Sequence, residues 1–180
     1  MKIKFKLVAL ILFLVTSLLA DSPRLLGQKA PSFGNIKWVQ SFKDNLDISD
    51  LKGKVVYIAT FQDVCPYCHQ VGLPALQELS EHYAGDAGVQ FIGIQTAFED
   101  EEENDLASIS TVIKDYNLKI PIGNSPRDEY SRPLFMDTYR TGGTPWVIII
   151  DKDGIIQYSD FQIHLDLAMA MISRFKRDLE

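Results

Sequence analysis

The most continuous apolar run in the interior of the chain is VVYIATF, residues 55–61, with no polar alternation except Thr60. Such a run predicts a strand buried on both faces, as in the middle of a layered α/β sheet. Other apolar segments alternate with helical patterns along the chain. IKWV at 36–39 predicts a short edge strand, and VQFIGIQT at 89–96 predicts a second core strand. WVIIID and IIQYSDF flank KDG, which predicts a β-hairpin. Helices are expected from about Cys65 to Tyr83, from about Asn104 to Tyr116, near Tyr130 to Tyr139, and from Leu165 onward, where Leu167, Met171 and Phe175 recur at helical spacing. Residues 21–35, punctuated by Pro23, Gly27, Pro31 and Gly34, read as an irregular lead-in, and LDISDLKGK as a turn with a short helical segment. Strands and helices in this order specify an α/β fold: a central mixed β-sheet flanked by helices, in one domain spanning residues 21–180.

The first twenty residues follow a different pattern. Lys2, Lys4 and Lys6 precede an apolar stretch from Leu7 to Ala20, the charged and hydrophobic regions of a secretory signal. That stretch would span about 21 Å as a helix, against a hydrocarbon core of roughly 30 Å. Cleavage after Ala20 is the first expectation. Leu18, two positions earlier, departs from the small residue such a site prefers, so an uncleaved membrane anchor over residues 5–20 is the alternative. Both place the domain outside the cytoplasm, in a periplasmic or other extracytoplasmic compartment.

Composition narrows the function. At 46% apolar and 23% charged residues the chain can bury a core. Its formal net charge is −6, and losing the three leader lysines would take it to −9, which argues against a nucleic-acid partner. The acidic run FEDEEENDL at 98–106 precedes a helix and reads as solvated charge at the positive dipole end.

The chemistry lies in DVCPYCHQ, residues 63–70, which holds both cysteines of the chain. In an oxidising compartment a Cys-x-x-Cys pair is either a staple or an exchange centre. So short a loop constrains the unfolded chain little, which leaves exchange. The pair falls where a buried strand ends and a helix begins, where unsatisfied N–H groups and the helix dipole favour a thiolate. Cys65 is therefore the expected nucleophile. Pro66 suits the first helical position, and Cys68, three residues on, returns to the same face as the resolving thiol. Far along the chain, Thr144 and Pro145 stand at the entry to WVIII, where proline fits only a turn or a cis bond.

LDISDLKGKVV, CPYC and GGTPWVIIIDKDGII together resemble the thioredoxin-like superfamily, within it the exported TlpA-like (redoxin) thiol-disulfide oxidoreductases, over roughly residues 30–163. The resemblance implies a thioredoxin-like fold and a protein that exchanges dithiols and disulfides of other proteins, more a reductase than an oxidase. It implies no bound cofactor or metal, recharging by a membrane electron donor, and a monomer. It assigns attack to Cys65 and resolution to Cys68. The Thr144–Pro145 backbone would pair with an extended substrate segment. Pro66 and Tyr67 would meet the partner, and Trp146 would either shape the groove or serve as a core aromatic.

Departures matter as well. The family's buried acid six residues before the first cysteine is Ala59 here, and the Glu some members carry three after the second is Val71. His69 is then the candidate for thiolate stabilisation or proton transfer. The helix proline that relatives carry five residues after the second cysteine comes at six, as Pro74, after Gly72. This predicts one extra residue absorbed as a π-bulge or kink. Three other readings stay open. A peroxiredoxin-like peroxidase normally has Thr or Ser three positions before its cysteine and Pro seven before, where this chain has Gln62 and Ile58. A zinc site wants four ligands, and His82 and His164 are remote in sequence. A non-catalytic binding module that kept the fold is the third.

Overall fold

The computed structural model describes residues 25–98 and 106–177, so the leader segment 1–20 and most of the acidic run lie outside the described residues. Among the described residues no helix is long and apolar enough to cross a membrane.

Six strands form one mixed sheet: β1 (Lys37–Gln40), β2 (Val55–Phe61), β3 (Val89–Gln95), β4 (Ile122–Asn124), β5 (Trp146–Ile150) and β6 (Ile156–Asp160), in the order β1-β4-β3-β2-β5-β6. β2, β3 and β4 run parallel, and β5 is antiparallel to β2. All seven residues of β2 are buried, because a neighbouring strand pairs with each edge and a packed layer covers each face. On one face Val55, Tyr57, Ala59 and Phe61 pack with residues of α1 (Leu73–His82), α2 (Leu106–Asp115) and α4 (Leu165–Lys176). On the other, Val56 and Ile58 pack with Phe135 and Tyr139 of α3 (Leu134–Tyr139) and with Phe33, Ile36, Leu46 and Leu51 from the lead-in. The period-two alternation of β2 thus divides one strand between two cores.

The connecting elements show where patterning alone was enough. At the hairpin tip Asp151 Oδ1 accepts the N–H groups of Asp153 and Ile155, both at 2.9 Å, and Gly154 takes φ 81°. This is the geometry a Lys-Asp-Gly turn provides. The lead-in is irregular, and it covers the β6 edge through Gly27, Gln28 and Ala30 backbone bonds to Gly154 and Ile156.

Two elements differ from expectation. β4 is a strand that periodicity did not predict. The helix near 130–139 starts only at Leu134, because Asp128 gathers the N–H groups of Tyr130 and Arg132 into a turn ahead of Pro133. In α4 the core face carries Ala168 and Ile172, while Leu167 is 50% exposed and Met171 and Phe175 only flank the core.

Candidate active site

The register of β2 against β5 assembles the site. Thr60 pairs with Trp146 in antiparallel ladder, so the residues just before Trp146 continue past the end of β2, where the 62–65 turn begins. Thr144, 79 positions from Cys65 in sequence, and Pro145 therefore meet the cysteine pair, and the Thr144–Pro145 peptide is cis.

Cys65 is partly exposed, just ahead of the first helical residues, and Cys68 is buried. Both are free thiols. The Cys68 N–H points at Cys65 Sγ at 3.2 Å, and Cys65 Sγ lies 3.8 Å from the Thr144 carbonyl. Burial pushes the Cys68 thiol up to about 12, and its hydrogen bond with Cys65 adds to this, while the Gln62 backbone and the Thr144 hydroxyl pull the other way. A partly exposed sulfur with a neutral thiol held beneath it is an arrangement suited to sequential attack and resolution.

After Cys68 the chain makes a π turn, Cys68–Gly72, in which the Leu73 N–H bonds back to the Cys68 carbonyl, and then enters α1 with Pro74 in its first turn. The residue that displaces Pro74 is absorbed here, as the spacing predicts. The turn also rotates Gly72 to face Pro145, where a Cβ would come within 2.7 Å of the proline ring.

The remaining candidates lie around this centre. Pro66 and Tyr67 are exposed, and Tyr67 (41%) stacks on Phe161 (44%) with ring centroids 5.9 Å apart and planes 4° from parallel. Trp146 is buried on the α3 side of the sheet, its indole N–H bonded to Ser159 Oγ at 3.0 Å, which is a core position. His69 Nδ1 meets the Tyr116 hydroxyl at 2.9 Å, and its Nε2 meets the Asp63 carbonyl at 2.5 Å and the Asp63 carboxylate at 3.3 Å. Ala59 is buried beneath the site without an acid. Among the described residues no group of three or more His, Cys, Asp or Glu side chains could hold a metal ion.

One residue acquires an importance that its sequence context did not signal. Gln62 enters the sequence reading only as the absence of a hydroxyl, yet it is 1% exposed and its side chain joins the Thr144 hydroxyl and the Phe98 N–H. A polar residue directly after a seven-residue buried strand is the one available hint.

Comparison with known proteins agrees with this geometry. The AhpC/TSA family profile matches residues 26–159. A thioredoxin-like superfamily protein of known crystal structure superposes with TM-score 0.76 at 30% identity, covering 83% of this chain and 97% of that one. A thiol-disulfide isomerase from Corynebacterium glutamicum superposes at 0.70 with 29% identity, covering 78% and 91%. A thioredoxin family thiol:disulfide interchange protein from Chlorobium tepidum, 18% identical with TM-score 0.64 over 88% and 100%, shares the fold. No curated protein sequence matches the chain. With a family match over most of its length and a thioredoxin-like sheet carrying the cysteine pair, the chain belongs to the AhpC/TSA family of the thioredoxin-like superfamily.

Proposed function

We propose that the protein is an exported thiol-disulfide oxidoreductase that reduces disulfides of other proteins through Cys65 and Cys68. The observation that carries this is the pairing of a partly exposed Cys65 with a buried Cys68, under a main-chain segment at Thr144–Pro145. Cys65 attacks the substrate disulfide as a thiolate, one substrate sulfur leaves, and a mixed disulfide remains. Cys68 then attacks Cys65 Sγ, the second substrate sulfur leaves, and the Cys65–Cys68 disulfide forms. Two electrons and two protons pass to the substrate.

The potential, and with it the direction, depends on how strongly the fold stabilises the Cys65 thiolate, and reduction is the part that the TlpA-like proteins this sequence resembles usually play. Lys2, Lys4 and Lys6 ahead of the apolar stretch from Leu7 to Ala20 support an extracytoplasmic setting for such exchange, with a dithiol donor at the membrane restoring the pair. The partner is engaged by exposed Pro66, Tyr67 and Phe161 and by the Thr144 backbone.

A peroxidase reading is favoured by the family match. Against it, position 62 offers an amide whose N–H already serves Thr144 instead of a hydroxyl. One experiment separates the two: the Cys68→Ser protein is incubated with disulfide-bearing extract and proteins trapped on Cys65 are identified. Trapped mixed disulfides are expected. Their absence, together with peroxide consumption that needs Cys65 and survives loss of Cys68, would establish the peroxidase. Equilibration of the wild type with glutathione then reads the potential and the direction.

A further inference from the structure

Extensions of four neighbouring strands meet at the sheet edge that carries Cys65. Phe61 ends β2 and pairs with Gln95 of β3, and the Thr96 N–H still reaches the Phe61 carbonyl at 2.9 Å, so residues 97 and 98 run on beside the 62–65 turn. Across β2, the lead-in to β5 brings Thr144 past the same end. Farther out, Phe161 follows Asp160, the residue of β6 that pairs with Val147. Along this edge the order is therefore Phe98, Gln62, Thr144 and Phe161. Gln62 ties the first three together. Its buried side-chain amide accepts the Phe98 N–H at 2.8 Å through its oxygen and donates to Thr144 Oγ1 at 3.2 Å through its nitrogen. Both bonds come from one planar group, so the Phe98 main chain and Thr144 are no farther apart than that amide and two hydrogen bonds allow. Phe98 is thus pinned at its backbone while its side chain is left in solvent: Ala97 before it is buried, and Phe98 is 42% exposed.

We propose that Phe98 is a substrate contact, held by Gln62 beside the Thr144 segment to receive an apolar side chain of the polypeptide whose disulfide Cys65 attacks. The inference rests on the reading of the protein as an exchanger of protein disulfides, and it names a class of substrate within it: extended segments with an apolar residue two positions from the reacting cysteine. Cys65 Sγ lies 3.8 Å from the Thr144 carbonyl, so a segment that pairs with Thr144 brings its own cysteine to Cys65. Two strand spacings, roughly 10 Å, separate the β5 lead-in from the β3 extension, and an extended chain advances about 3.3 Å per residue. Two residues and the reach of a side chain cover that distance. The pleat selects the same position, since residues two apart in an extended segment point to one face. An aromatic ring whose main chain is already fixed offers contact area at little ordering cost. A leucine laid against it leaves water, and a serine gains nothing there.

The test compares two extended peptides, each with one cysteine held in a mixed disulfide with a small aromatic thiol. One carries leucine and the other serine at both positions two residues from the cysteine. The prereduced protein is mixed with each in a single turnover, its cysteine pair supplying the two electrons, and the departing aromatic thiolate is followed by absorbance. The wild type is expected to favour the leucine peptide about fivefold, the scale of one or two methylene groups leaving water. Phe98→Ala lowers that ratio toward one by slowing the leucine peptide, and Phe98→Leu keeps it. Gln62→Met, which fills similar space without either hydrogen bond, also lowers the ratio, and it adds nothing to the ratio once Phe98→Ala is present. A wild type without preference, an unchanged ratio in Phe98→Ala, or equal slowing of both peptides overturns the assignment. Reduction of a small aromatic disulfide alone reports the exchange chemistry separately, because that substrate has no side chain to set against residue 98. The assignment of Phe98 can therefore fail while Cys65-dependent reduction proceeds, whereas absence of that reduction would overturn the exchange reading and the assignment with it.

Discussion

Gly72 and Pro145 pack so closely that a single methyl group would not fit between them: a Cβ on Gly72 would lie 2.7 Å from Pro145 Cβ and 3.2 Å from its Cγ. One belongs to the π turn below the cysteines and the other to the loop that faces Cys65. Opposing effects decide the outcome of Gly72→Ala. Gly72 has helical φ and ψ, so alanine would gain roughly 0.5–1 kcal/mol from propensity. Overpacking against a ring in a closed loop costs about 1–3 kcal/mol. Net destabilisation is expected by urea denaturation, with slower exchange because the Pro145 loop is displaced from Cys65. A variant as stable and as fast as the wild type would show that the two segments yield independently.

This contact also shows where reading the chain succeeded and where it stopped. The extra residue before Pro74 was legible, since one added position in a helix must be absorbed as a wider turn. That the same turn presents Gly72 to Pro145 was not, because the partner is contributed by another segment of the chain. β2 and the hairpin were legible because continuous burial and Lys-Asp-Gly are local signals. β4 was not, being three residues long with Gly123 at its centre, too short for any period to show. α4 was legible as a helix from its spacing, while its buried positions, Ala168 and Ile172, are visible only in the fold. At the site the cysteines announce themselves by spacing, but the contacts of Gln62 with Thr144 and Phe98 exist only in the folded sheet.

The buried Cys68 thiol makes stability depend on pH. Its folded value, about 12, lies above the roughly 8.5 of an ordinary cysteine, so the folded state holds this proton more tightly than the unfolded chain. That contribution is fully present below about pH 8.5 and is lost as pH rises toward the folded value, by at most about 1.4 kcal/mol per pH unit. Tyr57 and Tyr139 are also raised by burial and act in the same direction at higher pH, so a difference measurement is needed. The Cys65→Ser protein is expected to lose urea stability between pH 8 and 10 relative to Cys65→Ser/Cys68→Ala. The double variant retains both tyrosines and lacks only the thiol. Removing Cys65 abolishes two of the raising causes and keeps burial, the largest. Parallel stability curves would mean that Cys68 is far less desolvated than its position indicates.

Tyr67 and Phe161 form an exposed stacked pair beside the cysteines, and exposed aromatic pairs with one specific geometry suit recognition of a polypeptide. The stack itself is worth about 0.5–1.5 kcal/mol. Phe161→Ala is expected to raise KM for a protein disulfide roughly threefold to tenfold, with kcat little changed, while reduction of a small aromatic disulfide proceeds at the wild-type rate. Equal losses on both substrates would place the effect in the cysteine pair and remove the aromatic platform from recognition.

His69 has a partner at each ring nitrogen, and neither is a cysteine. Nε2 faces a carbonyl and a carboxylate of Asp63, both acceptors, so it carries a proton. The Tyr116 hydroxyl stands 2.9 Å from Nδ1 and 3.2 Å from the His69 carbonyl. The ring thus ties the turn before Cys65 to the end of α2, and a bracing role follows from the geometry. His69→Gln keeps one donor and one acceptor but shortens the reach to Tyr116, so a loss of about 1 kcal/mol in urea denaturation is expected, the scale of one net hydrogen bond. The pH–rate profile of exchange should keep its shape, displaced at most by a constant factor. If an inflection vanishes from that profile in His69→Gln while Tyr116→Phe leaves it intact, His69 transfers a proton during exchange and is more than a brace.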